Sequence, residues 1–559
     1  MKRLLTLGLA LLLVLSMAAC QSPSPGGEPT AAPATDKPAT SAPATGDATE
    51  APAAGPDYST PLTVSMNVLN AEKNGIDVRH EIVKEIFNLS FDYVPIDWSD
   101  WNTKISTWVA TDDAPDLIWW DLKGAQAQQF ADWARQGAFA PLDAQYFSES
   151  RPNLKQTYDT SKSIDALSVD GTLYAWPAMR ANSPEAQNCY TSHWSYRRDW
   201  ARAVGLYKEG DIYTWDEWIA LLTAIRDQDP GGNKDANAVL VMPTWGFPHA
   251  AALFIGPPAA EGNETSSYIK DASGKYIWPC ATEDFKKGVK ITYDMYQQGL
   301  IYKDNILFNA SEAENMIKSG LAFANYNVTG SLNAWTDTMI TDGVIKERSD
   351  FGIAIVQAWD GNWYMTQTED YWTVTAMSHK ISEEKINRVL DFWEYLHTTD
   401  GMRMRTWGRE GVDFEVTGPD PVDVKILWPF DESLQAYINP FTNISEFGES
   451  NAACGSKINS LLIGPDAIPY MFEERNRLWS TMGAGEIPVV IKEFDYDVSF
   501  GSAPNKDKNG SFGSTSKEKL VALLAQPGID IEAEWDKVVA SMMPEVQKVL
   551  DELNNGELK

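Results

Sequence analysis

The sequence predicts an α/β protein with two lobes, and three observations lead to that fold class. The chain has 559 residues, whereas one domain usually has about 100 to 200, so more than one compact unit is expected. Hydrophobic residues make up 43% and charged residues 22% of the chain, which is typical of globular proteins. Strand-like and helix-like segments alternate, which predicts parallel βαβ units with binding loops at the carboxyl ends of the strands.

The first elements follow from hydrophobic periodicity. Leu62 to Val68 alternates like a strand, Val78 to Phe87 has a helical pattern, and Ser90 to Ile96 is predicted as a second strand. Asp100 is a candidate cap for the amphipathic run 104–110. The short apolar segment Leu117 to Trp120 is predicted as a third strand.

Later segments continue the alternation without a second linker. Helices are predicted at 216–227, 283–298, 311–318, 382–397 and 532–553, and strands at 321–326, 351–356 and 371–375. An uninterrupted body of this length favours two lobes joined by several chain crossings over two separate domains.

The amino terminus predicts export and lipid anchoring. Residues 1–19 combine Lys2 and Arg3 with an apolar run, which indicates a signal peptide. The Ala18-Ala19-Cys20 ending resembles a bacterial lipobox, so Cys20 is the predicted lipidation site on the outer face of the cytoplasmic membrane. An ordinary signal peptide with Cys20 incidental is the alternative. Residues 20–57 are predicted to be a tether, since 30 of the 37 residues from Gln21 to Asp57 are Ala, Pro, Thr, Gly or Ser.

Charge and cysteine content exclude several classes of function. The net charge of −32 repels nucleic acids and anionic lipids, so no nucleic-acid partner is expected. Cys189, Cys280 and Cys454 lack metal-like spacing, so neither redox nor zinc chemistry is predicted. One disulfide with one free thiol, or three buried thiols, both remain open. The 22 Trp exceed the 21 Tyr and the 20 Phe, and this excess suggests a use for indole rings beyond the core.

Several motifs resemble one protein family. They are DWNTKISTWVATDDAPDLIWWD at 100–121, DGTLYAWP at 170–177, RRDWARAVGL at 197–206 with TWDEWIALLTAIRD at 214–227, and WGREGVDFE at 407–415. In this order behind a lipobox they resemble the family 1 extracellular solute-binding proteins, in the branch of LipO-like lipoproteins that serve carbohydrate ABC transporters. Met17 departs from the usual Leu of the lipobox.

The resemblance implies a type II periplasmic-binding-protein fold, in which two lobes joined by hinge crossings close on a ligand like a Venus flytrap. It implies a monomer that binds a sugar or oligosaccharide, without catalytic residues, and passes it to the permease subunits of an ABC importer. The predicted first lobe comprises 58–175 and about 320–375. The predicted second lobe comprises about 176–319 and 376–559.

Candidate ligand-binding residues are aromatic rings for sugar faces and polar groups for hydroxyls. Trp119, Trp120 and Asp121 end a predicted strand, although alternation could bury one of the two indoles. Arg180 could donate a forked pair of hydrogen bonds, with a surface salt bridge as the alternative. Irregular or family-like segments supply the remaining candidates, which are Trp176, Trp245, Tyr326, Trp335, Trp359, Trp372, Trp407, Arg409 and Glu410. Closure is expected to bring Trp119 or Trp120 opposite the segment 407–410.

One loop resembles a calcium site. The segment with Asp229, Asn233 and Asp235 resembles a Ca²⁺-binding loop of many family members, in which acidic residues alternate as in an EF-hand. Here Gly231 replaces the second acid, the loop is shorter, and no Glu closes it. A Gly-rich turn is the default interpretation, and no other cofactor is expected.

The alternative function is that of a secreted glycosidase. Such enzymes need only two carboxylates beside a cleft, and the chain contains 78 acidic residues. No zinc, nucleophile-elbow or phosphate-loop motif occurs, since Lys84 breaks the HExxH pattern that begins at His80. The resemblance therefore favours binding over catalysis.

Overall fold

The computed structural model describes residues 56–69, 76–97, 100–122, 126–179, 192–232, 238–242, 268–308, 310–328, 332–366, 370–432, 436–441, 447, 470–485, 487–492, 494–509 and 512–558. Residues Tyr58–Lys559 form one compact unit. The predicted signal peptide, Cys20 and nearly all of the tether lie outside the described residues. Among the described residues, no helix is long and apolar enough to span a membrane.

The strands are β1 Leu62–Leu69, β2 Leu89–Ile96, β3 Leu117–Trp120, β4 Ser168–Val169, β5 Thr172–Leu173, β6 Ala175–Met179, β7 Ser192–Arg197, β8 Ile212–Tyr213, β9 Ala238–Val241, β10 Ile269–Lys270, β11 Tyr276–Ile277, β12 Ala322–Val328, β13 Phe351–Val356, β14 Trp363–Thr366, β15 Tyr371–Met377, β16 Phe414–Val416, β17 Val424–Ile426, β18 Phe430–Asp431, β19 Ala436–Tyr437 and β20 Val489–Lys492.

The α-helices are α1 Val78–Phe87, α2 Trp101–Thr111, α3 Ala127–Arg135, α4 Pro152–Thr160, α5 Lys162–Ala166, α6 Arg198–Ala203, α7 Trp215–Gln228, α8 Glu283–Gln297, α9 Ala310–Lys318, α10 Leu332–Thr341, α11 Glu383–Leu396, α12 Thr399–Trp407, α13 Tyr470–Ala484, α14 Tyr496–Phe500, α15 Pro504–Asn509, α16 Phe512–Leu524 and α17 Ile531–Asn554. Each predicted strand and helix therefore has a counterpart, with boundaries shifted by a few residues.

Local chemistry explains several helix starts. Asp77 and Thr214 cap α1 and α7 through their side chains, and Glu217 completes a capping box with Thr214. Asp100 occupies the cap position of α2, but its side chain makes no capping hydrogen bond. It forms an ion pair with Lys104 at 2.9 Å instead.

The first large sheet has the strand order β2-β1-β3-β15-β6. Strands β1, β2 and β3 are parallel, and β15 is antiparallel to both β3 and β6. The carboxyl ends of β1, β2, β3 and β6 therefore share one edge of the sheet, where β15 begins. We call this the first carboxyl edge.

The second large sheet has the order β8-β13-β7-β12-β9. Strand β7 is antiparallel to β12 and β13, while β9 is parallel to β12 and β8 is parallel to β13. The strands β8, β9, β12 and β13 thus end at one edge, where β7 begins. We call this the second carboxyl edge.

Each sheet has its own hydrophobic core, and these cores define two lobes. The first core combines the first sheet with residues of α1 to α5, α11 and α12. The second lobe combines the second sheet with residues of α6 to α10, α13, α16 and α17. A small cluster around Trp407, Phe414 and Trp428 lies beside the first lobe, since Arg79 of α1 donates to the carbonyl of Arg405 at 3.2 Å.

The predicted lobe boundaries differ from this division. Strands β12 and β13, assigned by prediction to the first lobe, pair with β7 in the second sheet. Helices α11 and α12, assigned to the second lobe, contribute Phe392 and Met404 to the first core. Strand pairing joins residues that are far apart in the sequence. Hydrophobic periodicity predicts which face of a strand is buried, but it does not predict which other strand it pairs with.

A buried ionic network attaches α13 to the second sheet. Strand β8 is short, and Glu474 of α13 accepts the backbone N–H of Ile353 at 2.9 Å while Arg477 donates to the Ile353 carbonyl at 2.5 Å. Arg198 pairs with Glu474 at 2.7 Å and with Asp211 at 2.6 Å. Side chains therefore complete hydrogen bonds that a longer neighbouring strand would have made.

Candidate functional site

The chain connects the two carboxyl edges in both directions. The chain leaves the first edge after Met179 and enters the second at Ser192. It returns from β14 to β15, where Thr366 and Asp370 can be at most about 14 Å apart across the intervening residues. Trp363 of β14 lies beside His193 at the start of β7, with a ring separation of 6.0 Å. In open α/β sheets, ligands bind outside the carboxyl ends of the strands, so this region is the candidate site.

The tryptophans that end β3 belong to the core. Trp119 is 3% and Trp120 is 1% exposed. The indole N–H of Trp119 donates to Thr373 at 2.8 Å, and that of Trp120 donates to Asn102 at 2.8 Å. Neither ring offers a free face at the edge, whereas Asp121, the next residue, is partly exposed.

The end of β3 is also held from the neighbouring strand. Buried Asn67 of β1 donates to the Trp119 carbonyl at 2.7 Å and accepts from the Trp119 backbone N–H at 2.8 Å. The indole of Trp101 donates to the same carbonyl at 2.9 Å. This network fixes the point at which Asp121 leaves the sheet.

Three further candidates are also buried. Trp176 is fully buried and stacks on Phe147 at 5.0 Å. Tyr326 packs against Trp194 at 5.0 Å, and Trp335 lies in the core formed by α9, α10 and the second sheet. All three rings are therefore packed in the core, although the sequence predicted that they contact a ligand.

Other candidates lie at the site or outside the described residues. Trp372 is the extra residue of a bulge in β15, between the pairs Tyr371 with Met179 and Thr373 with Ala178. Bulges are frequent beside functional sites. Arg180 and Trp245 lie outside the described residues, as do Asn233 and Asp235 of the calcium candidate. Asp229 ends α7 in a left-handed conformation.

The segment 407–410 is placed away from the second lobe, contrary to the prediction. Trp407 is buried in the small cluster beside the first lobe. Arg409 pairs with Glu85 of α1 at 2.9 Å, and Glu410 is exposed. Glu85 lies near the carboxyl end of α1, which leads into the start of β2, so this contact is at the opposite edge of the first sheet.

Trp359 is the candidate that the structure places at the second carboxyl edge with an accessible ring. It follows β13 in a turn and is 38% exposed. The turn is closed by hydrogen bonds between Ala358 and Asn362 at 2.8 Å and between Gly361 and Ala358 at 2.9 Å. Gly361 has a φ of 83°, a conformation that favours glycine.

Polar groups beside Trp359 were missed by the sequence analysis. The carboxylate of Asp360 accepts from the Tyr364 hydroxyl at 2.5 Å and from the Asn362 side chain at 2.8 Å. Although partial burial opposes it, these hydrogen bonds hold the pKa of Asp360 below its usual range, so the group is ionised at neutral pH. The run Asp360-Gly361-Asn362 is typical of a turn, and its position between aromatic residues is the sequence feature that could have indicated these polar groups.

No family model matches the chain. It is 26% identical over 220 residues to the fructooligosaccharide ABC transporter substrate-binding protein FusA of Streptococcus pneumoniae, covering 38% of this chain and 40% of that protein. It is 24% identical over 329 residues to the lipoprotein LipO of Bacillus subtilis, covering 57% of this chain and 60% of LipO. The matches thus span about half the length of these relatives.

Solved structures match over nearly their whole length. The alginate-binding protein AlgQ2 aligns with a TM-score of 0.62 at 15% identity, covering 88% of this chain and 97% of that one. FusA in complex with kestose aligns at 0.58 and 15% identity, with the same coverage. A solute-binding protein from Bifidobacterium longum infantis described as binding HMO also aligns at 0.58 and 15% identity, with the same coverage. These likenesses confirm the predicted resemblance and establish the fold as the two-lobed α/β fold of ABC-transporter solute-binding proteins.

Proposed function

We propose that this chain is an extracellular substrate-binding protein that captures a sugar or oligosaccharide between its lobes and delivers it to the permease of an ABC importer. The observation that carries the proposal is the exposed Trp359 with ionised Asp360 at the second carboxyl edge. The sequence relative FusA is named a substrate-binding protein, which supports binding over the glycosidase alternative.

The turn combines the two kinds of group that a sugar requires. An indole face accommodates the aliphatic face of a sugar ring, and a carboxylate accepts hydrogen bonds from hydroxyl groups. Asp121 supplies a second carboxylate, from the first edge. Contacts from both lobes favour the closed arrangement, since a ligand shifts a conformational balance only through its different affinity for the two states.

The proposal includes lipid anchoring at Cys20, action as a monomer and handover to permease subunits. LipO, one of the two sequence relatives, is named a lipoprotein, which supports the anchor. Fractionation of a Cys20→Ala variant tests it, because a variant that stays on membranes as firmly as the parent contradicts lipidation. Calcium binding near Asp229 stays a prediction. Among the described residues, no cluster of three or more His, Cys, Asp or Glu side chains is arranged to hold a metal.

The function is tested by thermal shift and calorimetry with neutral oligosaccharides, beginning with kestose and extending to other fructans, glucans and N-glycan fragments. A sugar at 100 times its Kd should add about 2.7 kcal/mol to the free energy of unfolding. Reducing-end release is measured in the same samples. A sugar that stabilises the protein without being hydrolysed supports the proposal, whereas turnover above the buffer rate contradicts it.

A further inference from the structure

Helix α14 lies between the two lobes, and its cap residue Asp495 is bound to the second lobe. The Asp495 carboxylate accepts from the Tyr276 hydroxyl at 3.0 Å and pairs with Lys270 at 2.9 Å. These partners lie on β11 and β10, and Tyr276 belongs to the second core. The other carboxylate oxygen accepts the backbone N–H of Val498 at 3.0 Å and thereby caps the helix.

The next residue, Tyr496, is bound to the first lobe. Its hydroxyl donates to the Asp370 carboxylate at 3.1 Å and accepts the Asp370 backbone N–H at 3.1 Å. Asp370 directly precedes β15 of the first sheet. Its carboxylate also accepts from Ser161 at 2.8 Å and from Ser163, at the start of α5.

The rest of the helix repeats this division. Val498 is fully buried in the second core, whereas Phe500 packs against the first core. Just after the helix, Ser502 donates to Gln128 of α3 in the first lobe at 2.8 Å. A helix of 5 residues is therefore held from both sides, and adjacent residues at its start are bound to different lobes.

We propose that α14 is a strut that sets the angle between the lobes and thereby the ligand affinity, without touching the ligand. The inference about affinity rests on the proposed function. A protein binds with an apparent affinity that is reduced by the fraction of molecules in the competent arrangement. Contacts that hold both lobes determine that fraction, so Asp495 and Tyr496 are positioning residues for ligand binding.

The strut is tested first in the ligand-free full chain, by pulsed electron paramagnetic resonance distances between nitroxides on the two lobes. Labels are attached at Glu149→Cys in the first lobe and Lys287→Cys in the second, both exposed positions, after Cys20, Cys189 and Cys454 are replaced by Ser. The test variants are Tyr496→Phe, which removes one hydroxyl, and Asp495→Asn, which keeps a capping oxygen but loses the charge that pairs with Lys270. The matched control is Tyr58→Phe, because the Tyr58 hydroxyl donates to Asp391 at 2.9 Å within the first lobe.

Each strut variant should broaden the distance distribution between the lobes, and the control should not. Because the two attachments act in series, the double variant should be no broader than either single variant, a non-additivity that independent sites do not show. An unchanged distribution in both single variants, or equal broadening in Tyr58→Phe, overturns the proposal.

A second measurement links the strut to binding. The Kd of kestose, and of every other sugar that binds, should change by the same factor in Tyr496→Phe, since the factor reflects only the competent fraction. A factor that differs between sugars contradicts the strut. If no sugar binds, the proposed function fails, while the ligand-free distances still decide whether α14 holds the lobes.

Discussion

The two carboxyl edges carry tryptophans at similar places, yet their environments differ. Trp119 and Trp120 end β3 and are sealed in the core, with both indole N–H groups bound to other side chains. Trp359 follows β13 in a turn, and its side chain is 38% exposed. All four residues of β3 are buried, so both successive side chains point into packed layers. An aromatic ring is accessible to a ligand when its residue lies beyond the end of the strand, outside the packed layers.

The two sheets also differ in whether their buried polar side chains are hydrogen-bonded. In the first sheet, Asn67 is fully bonded to the backbone of Trp119. In the second, Asn325 of β12 lies opposite Ser195 of β7, and both side chains are fully buried. Within the described part of the chain, neither the Asn325 amide nor the Ser195 hydroxyl has a hydrogen-bond partner. The same residue type is thus bonded in one sheet and unsatisfied in the other.

The largest expected effect comes from truncating a tryptophan that is buried in the core. Trp120→Ala should lower the free energy of unfolding by about 3–5 kcal/mol, because it leaves a cavity in the first core. Trp359→Ala should lower it by about 1–2 kcal/mol, because more of this residue is already exposed to solvent. Thermal and denaturant unfolding of both variants check the contrast. Equal destabilisation by both substitutions would show that Trp359 is packed as tightly as Trp120.

Removing one charge from the buried network should come next. Glu474→Gln is expected to cost about 3 kcal/mol, because Arg198 and Arg477 lose a buried partner. Glu473→Gln is the matched control, since that neighbouring side chain is exposed. Denaturant unfolding gives both values, and a Glu474 variant as stable as its control would show that the network adds little.

The same carboxylate predicts a pH dependence. Although burial alone would raise it, the guanidinium groups of Arg477 and Arg198 lower the pKa of Glu474 below its ordinary value of 4.5. A lowered pKa in the folded state gives stability that is present above the unfolded value and is lost as the pH falls through the folded one. The stability advantage of the parent over Glu474→Gln should therefore shrink as the pH drops below 4.5. A stability advantage of the parent that grows as the pH falls would contradict a lowered pKa of Glu474 in the folded state.

A smaller effect is expected on ligand affinity. Trp359→Ala should weaken sugar binding by about 1–3 kcal/mol, by analogy with rings stacked on aromatic side chains elsewhere. Trp108→Ala is the control, since Trp108 lies toward the far end of α2, away from both carboxyl edges. Calorimetry with a sugar identified in the screen compares the two. If Trp359→Ala binds as tightly as Trp108→Ala, the turn is not part of the site.

The smallest effect is expected for Asn325→Leu, and Asn67→Leu is its comparison. Asn325→Leu should leave the protein at least as stable as the parent, because it removes amide atoms that have no partner. Asn67→Leu should cost about 1–3 kcal/mol, because the backbone of Trp119 then loses buried hydrogen bonds. Melting temperatures of the two variants measure the difference. Destabilisation by Asn325→Leu as large as that by Asn67→Leu would show that Asn325 is satisfied in solution.

Much of the local structure was predictable from the sequence. Periodicity located α1, α8 and α17 nearly to their ends, and the capping residues Thr214 and Ser382 mark helix starts through side-chain bonds that the structure contains. The candidate site was predicted less well, because exposure depends on what covers each ring. Of the aromatic candidates, Trp359 is accessible, whereas Trp119, Trp120, Trp176, Tyr326, Trp335 and Trp407 are buried.

The alternation of strands and helices and the resemblance to solute-binding proteins follow from the amino-acid sequence alone, because periodicity, caps and short motifs are properties of neighbouring residues. Long-range contacts are needed to place β12 and β13 in the second sheet, to place 407–410 against α1, and to attach Asp495 and Tyr496 to different lobes. These outcomes depend on pairs of residues far apart in the chain. Their energies arise only when folding brings the partners together.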